Sequence, residues 1–225
     1  MLLLQFSTSP YCRKARLALG YKKILYQIEN LTPGLHILKL KPLTGGLTTV
    51  PVLLPRQTGQ PSAVADSTEI FKYLETYQPG PSYLPDTEPD QQQAWLLEDW
   101  LDESIGIATR FVYYDYRVGE GKAIDPSLSS QLVINLVRWQ YKITPAAVRM
   151  ARGRLERALE ILSGWQQRPY LIGDRLTIAD ITAAALLSPL ALMPYYRQQY
   201  PWLFGKIKDI HRECGEQLPP GSSEA

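Results

Sequence analysis

One break in the chain limits most sharply what it can fold into. Gln78-Pro79-Gly80-Pro81-Ser82-Tyr83-Leu84-Pro85-Asp86 crowds residues that fix or free the backbone, and such a run reads as a linker. Before it, short apolar runs of β-forming residues alternate with helical patterns. After it, helical patterns dominate to the end of the chain. With 225 residues, there is room for one large unit or two modest ones.

In the first part, residues 2–6 read as a buried strand, and residues 11–19 as a helix that begins just past Pro10. Residues 24–28 give a second strand and residues 35–40 a short helix. Residues 52–54 and 62–65 flank Thr58-Gly59-Gln60, a hairpin signal. Ile70, Phe71, Leu74 and Tyr77 then mark one face of a helix starting near Ser67. The order β-α-β-α-β-β-α predicts a small mixed sheet with helices packed on it.

In the second part, residues 91–118 form one long helical pattern or two shorter ones. Leu128, Leu132, Val133, Leu136 and Val137 make a further stripe. Val148, Ala151, Leu155, Ala158, Leu159 and Leu162 make a third, with Arg149, Arg152, Glu156 and Glu160 opposite. Residues 177–192 are apolar nearly all round, which predicts a helix at the centre of a bundle. Residues 202–212 give the last helix.

Composition narrows the function. Lys and Arg number 24 against 22 Asp and Glu, a net charge of +2, so nothing points to nucleic acid or an anionic membrane surface. Two cysteines, Cys12 and Cys214, cannot build a disulfide framework; two histidines, His36 and His211, cannot build a His-rich metal site. The opening Met-Leu-Leu-Leu has neither the basic flank nor the length of a signal peptide, and the most apolar later stretch falls short of a membrane span. A soluble cytoplasmic protein without a metal is the expectation.

The chemistry-bearing segment is Phe6-Ser7-Thr8-Ser9-Pro10-Tyr11-Cys12-Arg13-Lys14. A strand ends here and a helix begins, so the first N–H groups of that helix lack internal partners and favour an anion beside Ser9 or Tyr11. Taken alone, Ser9 reads first as a plain helix cap with Pro10 at the first helical position, because Ser-Pro before a helix is common.

Ser9-Pro10-Tyr11-Cys12 is similar to the Cys-Pro-Tyr-Cys site of glutaredoxins with the first cysteine replaced by serine. Val50-Pro51 stands just before a strand, where thioredoxin-like folds carry a cis-proline, and Asp66-Ser67 opens the next helix. Tyr170-Leu171-Ile172-Gly173-Asp174-Arg175-Leu176-Thr177-Ile178-Ala179-Asp180 lies in the helical half, with the spacing of a capping box from Thr177 to Asp180. In this order and spacing the chain resembles a cytosolic glutathione S-transferase of the serine type, theta-, zeta- or omega-like in its amino-terminal motif.

The resemblance implies an α/β thioredoxin-like domain over residues 1–77, a linker over 78–89 and an all-α domain over 90–225. It implies glutathione as co-substrate, with Ser9 donating to its sulfur and Val50, Pro51, Asp66 and Ser67 binding its peptide. The backbone of Val50 would pair with the glutathione cysteine, Asp66 would face the α-ammonium and Ser67 the carboxylate. Asp66-Ser67 reads equally as a plain helix cap. Tyr11, Tyr113 and Tyr114 would border the pocket for a small hydrophobic electrophile, with core packing for at least one of Tyr113, Tyr114 and Tyr116. Tyr11 competes with Ser9 for the thiol. Cys12 reads as a small buried apolar residue.

The activity implied is attack of the glutathione thiolate on an electrophilic carbon. A glutathione-dependent isomerase, or a binding module without turnover, stands as the alternative. A homodimer is implied; nucleic acid and membrane partners are not. The chain departs from the family pattern at Asp66, where many members have Glu or Gln, and at Lys41-Pro42, where Asn-Pro is common. Residues 113–145, which include the pocket wall, match no class. Glu98, Asp99, Asp102 and Glu103 crowd one helix, a spacing that reads as a solvated face.

Overall fold

The computed structural model describes residues 1–77 and 80–222. Gln78 and Pro79 of the expected linker lie outside the described residues. The amino-terminal part runs β1 (Leu2–Gln5), α1 (Pro10–Tyr21), β2 (Gln27–Asn30), α2 (His36–Leu43), β3 (Val52–Leu54), β4 (Val64–Ala65) and α3 (Ser67–Tyr77). Its four strands lie in the order β2-β1-β3-β4, with β1 and β2 parallel and the other two pairings antiparallel.

The continuous apolar run of β1 follows from burial on both sheet faces, since successive side chains point to opposite sides. Leu3 and Leu53 join the main core against α1 and α3, whereas Leu2, Leu4 and Val52 meet Leu40 of α2 on the other face. The second strand is displaced from residues 24–28 to Gln27–Asn30. Ile24 is spent closing the end of α1, its N–H bonded to Leu19 O at 3.0 Å, and β2 is an exposed edge strand whose polar sequence gives no period-2 signal.

The helical part runs α4 (Glu88–Asp99), a π turn (Trp100–Ile105), α5 (Gly106–Val118), α6 (Leu128–Gln140), α7 (Pro145–Ile161), α8 (Ile178–Leu186), α9 (Pro194–Gln199) and α10 (Pro201–Glu213). Short 3₁₀ segments join several of them. Helix α8 is buried along its whole length, as its all-round apolar sequence requires. Its start is the capping box, with Asp180 accepting from Thr177 N–H, Thr177 O–H and Leu171 N–H. Leu176 and Ile181 are fully buried on either side of the cap. The stripe on α6 is different: Leu128, Leu132 and Leu136 face solvent and Ile134 is the buried residue of that helix.

The two parts share one core. Tyr83 O–H donates to Ala18 O at 2.8 Å, and Ile178 N–H donates to Tyr83 O. The end of α10 closes over α1 through buried polar groups. Arg16 binds Glu216 and Gln5, and Arg13 lies 3.4 Å from His211 Nε2. His211 Nδ1 sits 2.7 Å from Ile207 O, so it carries the proton, and Nε2 accepts from Arg13. Burial pushes His211 down from 6.5 to about 4, with Arg13 and Arg16 adding to the effect.

The folded state therefore refuses a proton that the unfolded chain takes up near 6.5. Stability present above that pH is lost as the pH falls towards 4, by about 3 kcal/mol for one group. Urea denaturation across this window should show the slope in the parent and a flatter one in His211→Gln. Equal slopes would refute the assignment.

Candidate active site

Sheet register brings the candidate residues to one end of the sheet. Leu4 lies opposite Val52 in the antiparallel pairing, so the carboxyl end of β1, which leads to Ser9, is beside the amino end of β3, which follows Val50-Pro51. Val52 in turn faces Ala65, so Asp66 and Ser67 emerge at the same end. The Val50-Pro51 peptide bond is cis, and Pro51 C=O accepts from Asp66 N–H at 3.3 Å.

Ser9 is the N-cap of α1, its Oγ accepting from Cys12 N–H at 3.3 Å. An accepted bond leaves the hydroxyl its own proton to donate. Cys12 is fully buried, and burial pushes its thiol up to about 11 despite the neighbouring Ser9 hydroxyl. A neutral buried thiol is neither nucleophile nor metal ligand.

Tyr11 is committed elsewhere. Its hydroxyl donates to the backbone C=O of Asp102 at 3.1 Å, and burial holds its proton far more tightly than in water. The acceptor belongs to the π turn, where Gly106 N–H reaches back five residues to Leu101 O. Gly106 permits the approach: a Cβ there would stand 2.9 Å from both the Tyr11 hydroxyl and Leu186.

At α3, the Asp66 backbone is in the left-handed region, with φ of 80°, a conformation Asp tolerates better than most residues. Its exposed carboxylate accepts from Thr68 N–H at 2.8 Å and Glu69 N–H at 3.3 Å, so it caps the helix. Ser67 is 1% exposed, and its Oγ is buried without a hydrogen-bond partner. Buried polar groups are nearly always paired, and an unpaired one facing a helix start fits a ligand group that completes it.

Beneath this point lies a cluster that the sequence did not disclose. Lys14 is fully buried, and its ammonium binds Glu98, Asp102 at 2.5 Å and Thr68 at 3.2 Å. Thr68 O–H also donates to Glu98 at 2.7 Å. The solvated-face reading holds for Asp99 and Glu103, which are exposed, and fails for Glu98 and Asp102, which are buried. The i,i+4 spacing of Glu98 and Asp102 is shared by both readings; a lysine in the middle of a buried helix face is the signal that could have separated them.

The three tyrosines of α5 part company. Tyr113 O accepts from Arg117 at 2.8 Å, a bond that ties α5 to the following segment, because Arg117 also reaches Asp125 O and Ser130. Tyr116 covers Gly121, where a Cβ would meet its ring at 2.3 Å. Tyr114 is half-buried against Tyr113, with its hydroxyl pushed up to about 12 by burial. Tyr11 is thereby joined to the α5 wall, because Arg110 lies over its ring. Two surface hollows, one beside Met1 and Tyr26 and one beside Trp139 and Ile143, include none of these residues. Among the described residues no group of three or more His, Cys, Asp or Glu side chains is placed to hold a metal ion, and no helix is long and apolar enough to cross a membrane.

A four-stranded α/β domain with a cis-proline at the mouth of its sheet, fused to a helical domain, defines the thioredoxin-like transferase architecture. The family models agree: glutathione S-transferase, N-terminal domain, matches residues 3–82, and glutathione S-transferase, C-terminal domain, matches residues 145–205. The chain belongs to the glutathione S-transferase family. Residues 83–144 lie outside both matches.

Solved structures share the fold. A glutathione S-transferase from Methylobacillus flagellatus KT with glutathione bound superposes with a TM-score of 0.70 at 21% identity, over 95% of this chain and 96% of that one. A Methylobacterium radiotolerans JCM 2831 glutathione S-transferase in complex with glutathione sulfonate gives 0.71 at 22% identity, over 100% and 97%. A Pseudomonas fluorescens Pf-5 family member with bound glutathione gives 0.68 at 20% identity, over 97% and 98%. A comparison with curated proteins found no match.

Proposed function

We propose that the chain is a serine-type glutathione transferase, which binds glutathione along Val50, Pro51, Asp66 and Ser67 and activates its thiol through Ser9. The observation that carries this reading is the buried, unpartnered Ser67 hydroxyl at the start of α3, on the same sheet end as Ser9. A carboxylate seated there would accept from Ser67 O–H, in the field of the helix amino terminus, whose Thr68 and Glu69 N–H groups are already bonded to Asp66. Asp66, exposed beside it, suits an ammonium.

The glutathione thiol has a free pKa of about 8.5, so little is ionised at neutral pH. Ser9 O–H would donate to the sulfur, and the α1 dipole would favour the resulting charge. The thiolate then attacks an electrophilic carbon. A C–S bond forms, and either a leaving group departs with its electron pair or, after addition to a double bond, the adduct takes up a proton. Ser9 does not attack. The buried, unpaired Cys12 and Cys214 suit a reducing cytoplasm.

Calorimetry with glutathione tests the site. Ser67→Ala removes the orphan donor, and Asp66→Asn removes the charge while keeping a good helix cap. Each should weaken binding by about tenfold to a hundredfold, the worth of a charge-assisted contact. Unaltered affinity in both variants would remove these residues from the site. The same reading includes a two-fold homodimer, and a light-scattering mass near 25.5 kDa in dilute solution would count against it.

A further inference from the structure

Arg110 of α5 has an environment that the thiol chemistry does not use. Its guanidinium carbon lies 5.1 Å from the centroid of the Tyr11 ring and 4.5 Å from that of Tyr141. Tyr11 is in the first turn of α1, two residues beyond Ser9, and Tyr141 follows α6 from the segment that matches neither family model. Arg110 is half-buried, and among the described residues it forms no ion pair and no hydrogen bond.

The carboxylates nearby are taken. Glu98 and Asp102 bind Lys14, and Asp115 binds Arg138 and Arg152. Glu103 is exposed and makes no ion pair with Arg110. Ring faces attract the positive charge, but they give the five N–H donors of a guanidinium no lone pairs of the kind a carboxylate offers. A cation held by two rings, one of them on the residue two places beyond Ser9, with its donors unspent, is arranged for an anion that arrives with the substrate.

We infer that Arg110 recognises a carboxylate on the second substrate, an electrophile with an aromatic or unsaturated body that packs among Tyr11, Tyr114 and Tyr141. The inference rests on the glutathione reading and names the class of electrophile that site takes. It also gives the departure from family pattern over residues 113–145 a role, because Tyr141 is one of the two rings that hold the cation.

Binding of glutathione conjugates tests it without requiring turnover. The probes are S-(4-carboxybenzyl)- and S-(3-carboxybenzyl)glutathione, each against its carbamoyl counterpart, titrated by calorimetry into the full chain. The parent should bind at least one carboxylate about tenfold to a hundredfold more tightly than its amide, and the ratio should shrink as salt is raised. Arg110→Gln should bring the ratio to within about threefold, while Arg110→Lys, which keeps the charge, should retain part of it.

A parent that shows no preference for either carboxylate, or a preference that survives Arg110→Gln, overturns the inference. Equal weakening of acid and amide would mean that Arg110 only packs, which also overturns it. If Arg110→Gln fails to fold, the ratio in the parent and in Arg110→Lys decides. Glutathione binding with no carboxylate preference sinks this inference alone. Failure of glutathione and all four conjugates to bind sinks the glutathione reading and this inference with it.

Discussion

Replacing Lys14 with methionine should destabilise the protein by about 3–5 kcal/mol at neutral pH, the cost of stranding buried charge. Lys14 is fully buried, and the side chains of Glu98 and Asp102 are 3% and 8% exposed. Two carboxylates share one ammonium there, so the cluster already carries an excess of negative charge. Burial already pushes the Asp102 carboxyl above its ordinary range, with Lys14 opposing the shift.

Methionine fills most of the lysine volume but leaves two carboxylates facing each other in a dry site. Without the Lys14 ammonium to oppose burial, the Asp102 carboxyl would hold its proton more strongly still in the folded state than in the unfolded one. A folded pKa raised above the unfolded value gives stability that is present below about pH 4 and is lost as pH rises through the raised value. The gap between parent and Lys14→Met should therefore be widest near neutrality and narrow in acid. Urea denaturation at pH 7 and pH 4.5 measures both quantities. A loss below about 1 kcal/mol at pH 7 would mean that water reaches the cluster and screens it.

The same cluster shows where reading from sequence stopped. Strand β3 and the capping box of α8 were legible because their signals are local: a run of apolar β-formers, or Thr and Asp three residues apart. The partners of Lys14 lie 84 and 88 residues away, and no local pattern joins them. The apolar residues ahead of β2 signal a strand that they do not enter: Ile24 is buried at the end of α1, while Leu25 is 92% exposed. On α6 the helical period predicted a helix correctly and said nothing of what covers its stripe.

At the candidate site the division is the same. Ser9, Val50-Pro51 and Asp66-Ser67 were legible because each marks a strand end or a helix start, and sheet register then gathers them. Arg110 was not legible. An arginine on a helix is ordinary until Tyr11 and Tyr141, far off in sequence on either side, are found against it.

Ser9→Ala should lower kcat/KM for conjugation by about a hundredfold to a thousandfold, the usual effect of removing one donor aimed at developing or stabilised charge. The glutathione dissociation constant should change little, because in the proposed site the peptide ends would be held at Asp66-Ser67 and Val50-Pro51. The cap and the proposed thiol activation draw on different halves of the Ser9 hydroxyl. As an acceptor it caps α1 at Cys12 N–H, a bond long enough, at 3.3 Å, that its loss should cost about 1 kcal/mol or less. As a donor it has the neutral Cys12 thiol as its present neighbour. A bound thiolate would win that proton, since a charge-assisted hydrogen bond is roughly twice as strong as a neutral one.

Tyr11 is the rival, and the structure gives it a different duty. Its proton is donated to Asp102 O, and drawing it to the sulfur would break the contact that closes α1 onto the π turn. Tyr11→Phe should therefore keep most of the thiol activation and the ring under Arg110, and lose the bond to Asp102 O. The readout is the pKa of bound glutathione, followed by thiolate absorbance across a pH series. It should rise in Ser9→Ala and stay near the parent value in Tyr11→Phe. Ser9→Cys should behave differently again, because a thiol at a helix amino terminus is favoured as thiolate and forms a mixed disulfide with oxidised glutathione at the expense of conjugation. A parent-like rate in Ser9→Ala together with a lost rate in Tyr11→Phe would move the thiol-activating role to Tyr11.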